Sequence, residues 1–72
     1  MEQEFIENLK EVLEIEDREI GMSDEFKKYE EWDSLAYLSV IAMIDEKYDK
    51  QISDAVFKQL STVRDLFNAI ID

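Results

Sequence analysis

The stretch Trp32-Asp33-Ser34-Leu35-Ala36-Tyr37-Leu38-Ser39-Val40-Ile41-Ala42-Met43-Ile44 decides the fold. Asp33 is a residue type that caps helices, because its carboxylate can accept from the unpaired N–H groups of a first turn. From Leu35 to Ile44 every residue but Ser39 is apolar or aromatic. A helix lying on a protein surface carries one apolar stripe, not a continuous apolar run. The pattern predicts a helix over about 33–49 that is either fully buried or touches the core on one side and a partner on the other. With residues placed at ~100° intervals, Tyr37, Val40, Ile41, Ile44 and Tyr48 share the expected core face. Ser34, Leu35, Leu38, Ala42, Asp45, Glu46 and Asp49 fall on another side. An apolar centre ending in acids suits a docking surface. The alternative is that Leu35 and Leu38 simply cover a neighbouring loop.

Upstream, Phe5, Ile6, Leu9, Val12 and Leu13 recur at helical spacing, with Glu4, Glu7, Lys10, Glu11 and Glu14 on the other face. They predict an amphipathic helix over about 2–15. Residues 16–31 contain the only glycine, Gly21, and several charges. A connection this long is uncommon in a compact domain unless it has work to do. Ile20, Met22, Phe26, Tyr29 and Trp32 are too many apolar groups for a free loop. The last three recur every third residue, so a short helical turn is expected within a loop pinned by its aromatics.

Downstream, Ser53 is a candidate cap for a short helix to about Gln59, with Ile52 and Phe57 spaced as a hydrophobic staple. A last helix starts near Ser61 or Thr62, with Val63, Leu66, Phe67, Ile70 and Ile71 as its apolar stripe. The expected fold is all-α. It is a small four-helix bundle of three longer helices and one short one, with a long loop between the first two, forming one domain over 1–72.

Composition narrows the function. Nineteen acids against eight bases give a formal charge of −11. Such a surface repels nucleic acid and anionic membrane and attracts basic proteins. No apolar run approaches the ~20 residues of a membrane span. The acidic start, Met1-Glu2-Gln3-Glu4, lacks the positive region of a signal peptide, so a cytoplasmic location is expected. With no Cys and no His, the chain has no disulfide, no thiol nucleophile, and neither the commonest zinc ligand nor the commonest general base. One Gly and no Pro fit a helical chain. The acids do not fall in the spacing of an EF-hand loop, and no metal site is expected.

Asp33-Ser34-Leu35 at the start of the second of four helices resembles the attachment motif of acyl carrier and related thiolation proteins. Trp32-Asp33-Ser34-Leu35-Ala36-Tyr37-Leu38 is similar to the form seen in some stand-alone carriers. Asp45-Glu46-Lys47-Tyr48 resembles that family's acidic patch followed by an aromatic. Ile52-Ser53-Asp54 and Leu60-Ser61-Thr62-Val63 resemble its approach to the third and fourth helices. Alone, Asp-Ser-Leu is only a common helix start. The weight lies in its combination with length, charge, helix count and the preceding loop.

The resemblance implies an acyl carrier without catalysis of its own. Ser34 would hold a 4'-phosphopantetheine arm from coenzyme A, with Asp33 beside it helping to hold the modifying enzyme's metal ion. Leu35, Leu38, Ala42, Asp45, Glu46 and Asp49 would meet partner enzymes. Those partners would be a phosphopantetheinyl transferase, an acyl- or aminoacyl-loading ligase, and downstream acyltransferases or synthases with basic docking surfaces. The carrier would act as a monomer. Ser34 has no activating base in its own sequence context, so the transferase would supply one. Ser39, Trp32 and Ser53 depart from what fatty-acid carriers often place there and favour a dedicated pathway. A rival reading is a small acidic inhibitor or immunity-type protein, with Glu30, Glu31, Trp32 and Asp33 as its patch for a basic partner.

Overall fold

The computed structural model of the chain describes residues 1–71. Phe5, Leu9 and Leu13 stand four residues apart and are all buried, which fixes the inner face of helix α1, Glu2–Leu13. The helix stops short of the expected Ile15. Glu14 turns into the left-handed region at φ 58°, its N–H reaching the carbonyl of Glu11, while the N–H of Ile15 returns to Lys10 at 2.9 Å. This paired closure satisfies carbonyls that the helix end would leave orphaned. Ile15 is still buried, as the first residue of the loop packed on the core.

The long connection contains a single 3-10 turn, Phe26–Lys28. Its aromatics pin it as the every-third spacing predicted: Phe26 is buried, and Tyr29 and Trp32 pack partly against the core. Polar bonds hold the rest. The carbonyls of Asp24 and Met22 accept the N–H groups of Val63 and Arg64 at 2.9 and 2.8 Å. The loop thereby serves the first turn of the last helix, where N–H groups have no partner within the helix. Asp24 Oδ2 accepts from Gly21 N–H and from the Tyr29 hydroxyl, both at 2.9 Å. Arg18 grips Glu31 through two bonds of 2.9 and 2.7 Å while its guanidinium lies over the Tyr29 ring.

Helix α2, Ser34–Tyr48, is capped by Asp33 as expected. Helix α3, Asp54–Gln59, is capped by Ser53, whose hydroxyl accepts from Val56 N–H, and Ile52 and Phe57 both join the core. Helix α4 is Val63–Ile71. Thr62 Oγ1 accepts the Asp65 N–H, and Asp65 Oδ2 accepts those of Thr62 and Ser61, at 3.0–3.1 Å. These bonds to the carboxylate hold Asp65 below the usual carboxylate range. The fold is an all-α small bundle of four helices, with no strand among the described residues.

Phe5 touches Phe67 of α4 and Tyr48 of α2, with centroids 5.5 and 6.0 Å apart, and Leu9, Val40, Ile44, Val63 and Leu66 fill the space between. Two sequence expectations change here. The buried face of α2 is Ala36, Val40, Met43 and Ile44, while Tyr37, Ile41 and Tyr48 are only half-buried. The two tyrosines keep their hydroxyls at the boundary, where Tyr48 accepts from Asn8 Nδ2 at 3.0 Å and Tyr37 donates to Asp54. Ile71 is 51% exposed, so the stripe of α4 ends at Ile70.

Candidate functional site

Ser34 is the first residue of α2 and is exposed. Its position follows from Asp33, whose extended backbone brings the chain to the helix and whose Oδ1 accepts the Ala36 N–H at 2.7 Å. That bond occupies one of the first-turn donors and orients the turn. The remaining N–H groups and the helix dipole favour an anion beside the serine. Among the described residues the Ser34 hydroxyl makes no hydrogen bond, and nothing in the structure deprotonates it.

An open cleft of about 520 Å³ adjoins Ser34 between the start of α2 and α3. Trp32, Tyr37, Leu38 and Phe57 form its apolar wall, and Lys27, Lys58, Asp33 and Asp54 its polar edge. The rings interlock. Trp32 stacks on Phe57 at 6.0 Å with 7° between planes, and Tyr37 meets Phe57 edge-on at 4.9 Å. The Tyr37 hydroxyl donates a short hydrogen bond to Asp54, which raises its pKa with a smaller contribution from burial. Lys27 Nζ donates to the Phe57 carbonyl at 2.8 Å and lies 5.0 Å from the centre of that ring.

The residues expected to form a docking face are all exposed: Leu35 (74%), Leu38 (60%), Ala42, Asp45, Glu46 and Asp49. Leu35 and Leu38 therefore do not cover the loop. Asp49 lies past the helix end in the left-handed region, at φ 54°. The cleft residues Lys27, Tyr37, Asp54, Phe57 and Lys58 escaped the sequence reading as a group. The one signal was Trp32, an aromatic directly before a polar helix start.

A family model described as the phosphopantetheine attachment site matches residues 3–70. The chain belongs to that phosphopantetheine-attachment family. Its function is that of a carrier protein, and its prosthetic group is 4'-phosphopantetheine. A phosphopantetheine carrier holds its cargo as a thioester, so the arm supplies the thiol that the chain lacks. The exposed, unpaired serine, the helix N-terminus and the adjoining cleft all suit such an arm. As a carrier domain, the chain meets modifying and synthetic enzymes. The fold is similar to the solution structure of a holo acyl carrier protein from Geobacter metallireducens, with a TM-score of 0.83 at 16% identity, over 97% of this chain and 80% of that one. No curated protein sequence matches the chain significantly. No helix among the described residues is long and apolar enough to cross a membrane.

The inhibitor reading has no support. Three of the four residues of its patch have partners within the chain: Glu31 is bound by Arg18, Trp32 stacks on Phe57, and Asp33 caps α2.

Proposed function

We propose that Ser34 carries the arm, and that this carrier presents an acyl or aminoacyl group to its partner enzymes along the exposed side of α2. The observation that carries the reading is a single hydroxyl that is exposed, unpaired and seated at a capped helix N-terminus, at the edge of an open apolar cleft. Asp33 stands beside it and assists the transferase while it caps α2. Ser34 does not activate itself, so the transferase must take its proton as the Oγ–phosphorus bond forms and the pyrophosphate link of coenzyme A breaks. The carrier is non-catalytic and acts as a monomeric single domain, in the cytoplasm where its coenzyme A-dependent partners would work.

Leu35, Leu38 and Ala42 give partners an apolar centre, and Asp45, Glu46 and Asp49 give them an acidic end. A basic docking surface fits this arrangement, on a transferase as on a loading ligase or a downstream acyltransferase or synthase. Complementary charge of this kind raises association rate more than affinity. The test is the intact mass of the chain after incubation with coenzyme A and a broad-specificity phosphopantetheinyl transferase. The mass should rise by one arm. An unchanged mass, under conditions that modify a control carrier, overturns the proposal.

A further inference from the structure

The two exposed leucines of α2 border different flanks of that helix. Leu38 lines the cleft toward α3. Leu35 lines a second cleft, of about 300 Å³, toward α1. A third cleft, of about 400 Å³, lies further along the same two helices, over Ala42 and Met43. Val12 and Ser39 line both of these, so the two form one seam between α1 and α2. The helices run antiparallel along it. Asn8 Nδ2 bonds the Tyr48 hydroxyl near one end, and Glu14 and Leu35 border the other, one residue from Ser34. From Leu35 to Glu46 the seam follows ~16 Å of α2, at ~1.5 Å per residue. Ser39 is exposed and small, which leaves the middle of the seam open.

Apolar surface does not choose between the flanks, and charge does. Toward α3, Asp33 and Asp54 are balanced by Lys27 and Lys58. Toward α1, the seam is bordered by Glu11, Glu14, Glu31, Asp33 and Glu46 against Lys47 alone. Arg18 neutralises Glu31, which leaves an excess of three negative charges. Asp33 borders both flanks, and leaving it out of both keeps the contrast. We propose that the α1–α2 seam is a docking groove for a basic amphipathic helix of a partner enzyme. Its apolar residues, three and four positions apart, seat on Val12, Ala42 and Met43, as in other helix-in-groove contacts. Its bases meet Glu11, Glu14 and Glu46. A helix of about three turns matches the length of the seam. The same helix laid toward α3 would bring its bases against Lys27 and Lys58, and like charges set against each other reject a wrong arrangement. The inference rests on the reading that partners approach along the exposed side of α2, and adds the flank to which they extend.

The probe is a helical peptide of leucine and lysine, about three to four turns long, with its leucines on one face. A scrambled peptide of the same composition carries the same charge without the apolar face. Each is titrated into the full chain, and the methyl NMR signals of the chain are followed. With the amphipathic peptide, Val12, Leu35, Ala42 and Met43 should shift and saturate together, while Leu38 and Val56 on the α3 flank stay nearly still. The scrambled peptide should bind more weakly and shift none of these methyls selectively. Ser39→Trp fills the seam where its two clefts meet and should raise the Kd roughly tenfold or more through a built-in clash. Glu11→Gln with Glu14→Gln should raise it roughly three- to tenfold, the size of two exposed ion pairs. Both glutamates are exposed, so this pair keeps the test open if Ser39→Trp does not fold. Selective shifts at Leu38 and Val56 overturn the inference and leave docking along α2 intact. Equal behaviour of the two peptides, or a Kd unchanged by the variants, also overturns it, since charge alone then accounts for binding. No saturable shift on either flank overturns the inference together with the docking reading beneath it. Attachment at Ser34 is read separately, by mass.

Discussion

The indole of Trp32 lies parallel to the ring of Phe57, with centroids 6.0 Å apart and 7° between planes. The residue two positions before Ser34 is thereby fastened to α3. Phe26 meets both rings edge-on, at 5.1 and 5.8 Å, so loop, α2 entry and α3 share one aromatic joint. Trp32→Ala should cost ~2–3 kcal/mol in a urea melt, below the ~3–5 kcal/mol of a fully buried aromatic because the indole is only half-buried. Trp32→Phe should recover most of the loss. A melt unchanged by Trp32→Ala means that the joint holds nothing together.

The two sides of α2 should separate in one pair of variants. Ile44 is 1% exposed, and Ile44→Ala should cost ~2–5 kcal/mol, a large part of a small domain's stability. Leu38 is 60% exposed, and Leu38→Ala should cost well under ~1 kcal/mol yet slow cargo transfer by a partner enzyme. A urea melt beside a transfer assay reads both. If Leu38→Ala unfolds the protein and Ile44→Ala does not, the faces are reversed.

How far the sequence could be read depended on whether the signal was local. Asp33, Ser53 and the Ile52–Phe57 staple were legible because each involves residues within a turn of one another. The stripe of α2 was less so. A near-continuous apolar run has no strong period, and the choice between Tyr37 and Ala36 for the core was settled by Asp54, which holds the Tyr37 hydroxyl at the surface. The serine was legible and its cleft was not. That cleft joins Lys27 of the 3-10 turn, Trp32 to Leu38 around the start of α2, and Asp54 to Lys58 on α3, which only the bundle brings together.

Acid should loosen the loop that delivers Ser34. The two hydrogen bonds from Arg18, helped by a backbone N–H, lower the Glu31 pKa from 4.5 to about 2. A lowered carboxylate pKa contributes stability that is present above the unfolded value and is lost as pH falls. The Glu31 contribution is therefore complete above about 4.5 and fades toward 2. Tyr29 and Tyr37 act at the other end. Their pKa values are raised above 10.0, Tyr29 mainly by burial and Tyr37 mainly by Asp54, so their contribution is present below 10.0 and is lost as pH rises past it. Melting temperature against pH should fall at both ends, and Glu31→Gln should lower the plateau and flatten the acid limb. An acid limb of unchanged slope in Glu31→Gln would mean that the Arg18 grip is not formed in solution.

Attachment of the arm turns on one atom, the Ser34 hydroxyl oxygen. The decisive measurement is fragment-level mass spectrometry of the chain after treatment with coenzyme A and a phosphopantetheinyl transferase, run beside Ser34→Ala. Ser23, Ser39, Ser53 and Ser61 are internal controls in the same molecule. The arm should map to Ser34 alone, and Ser34→Ala should stay unmodified while its melt matches the wild type, since an exposed hydroxyl at a helix start contributes little. An arm on any other serine, or modification that persists in Ser34→Ala, contradicts the account.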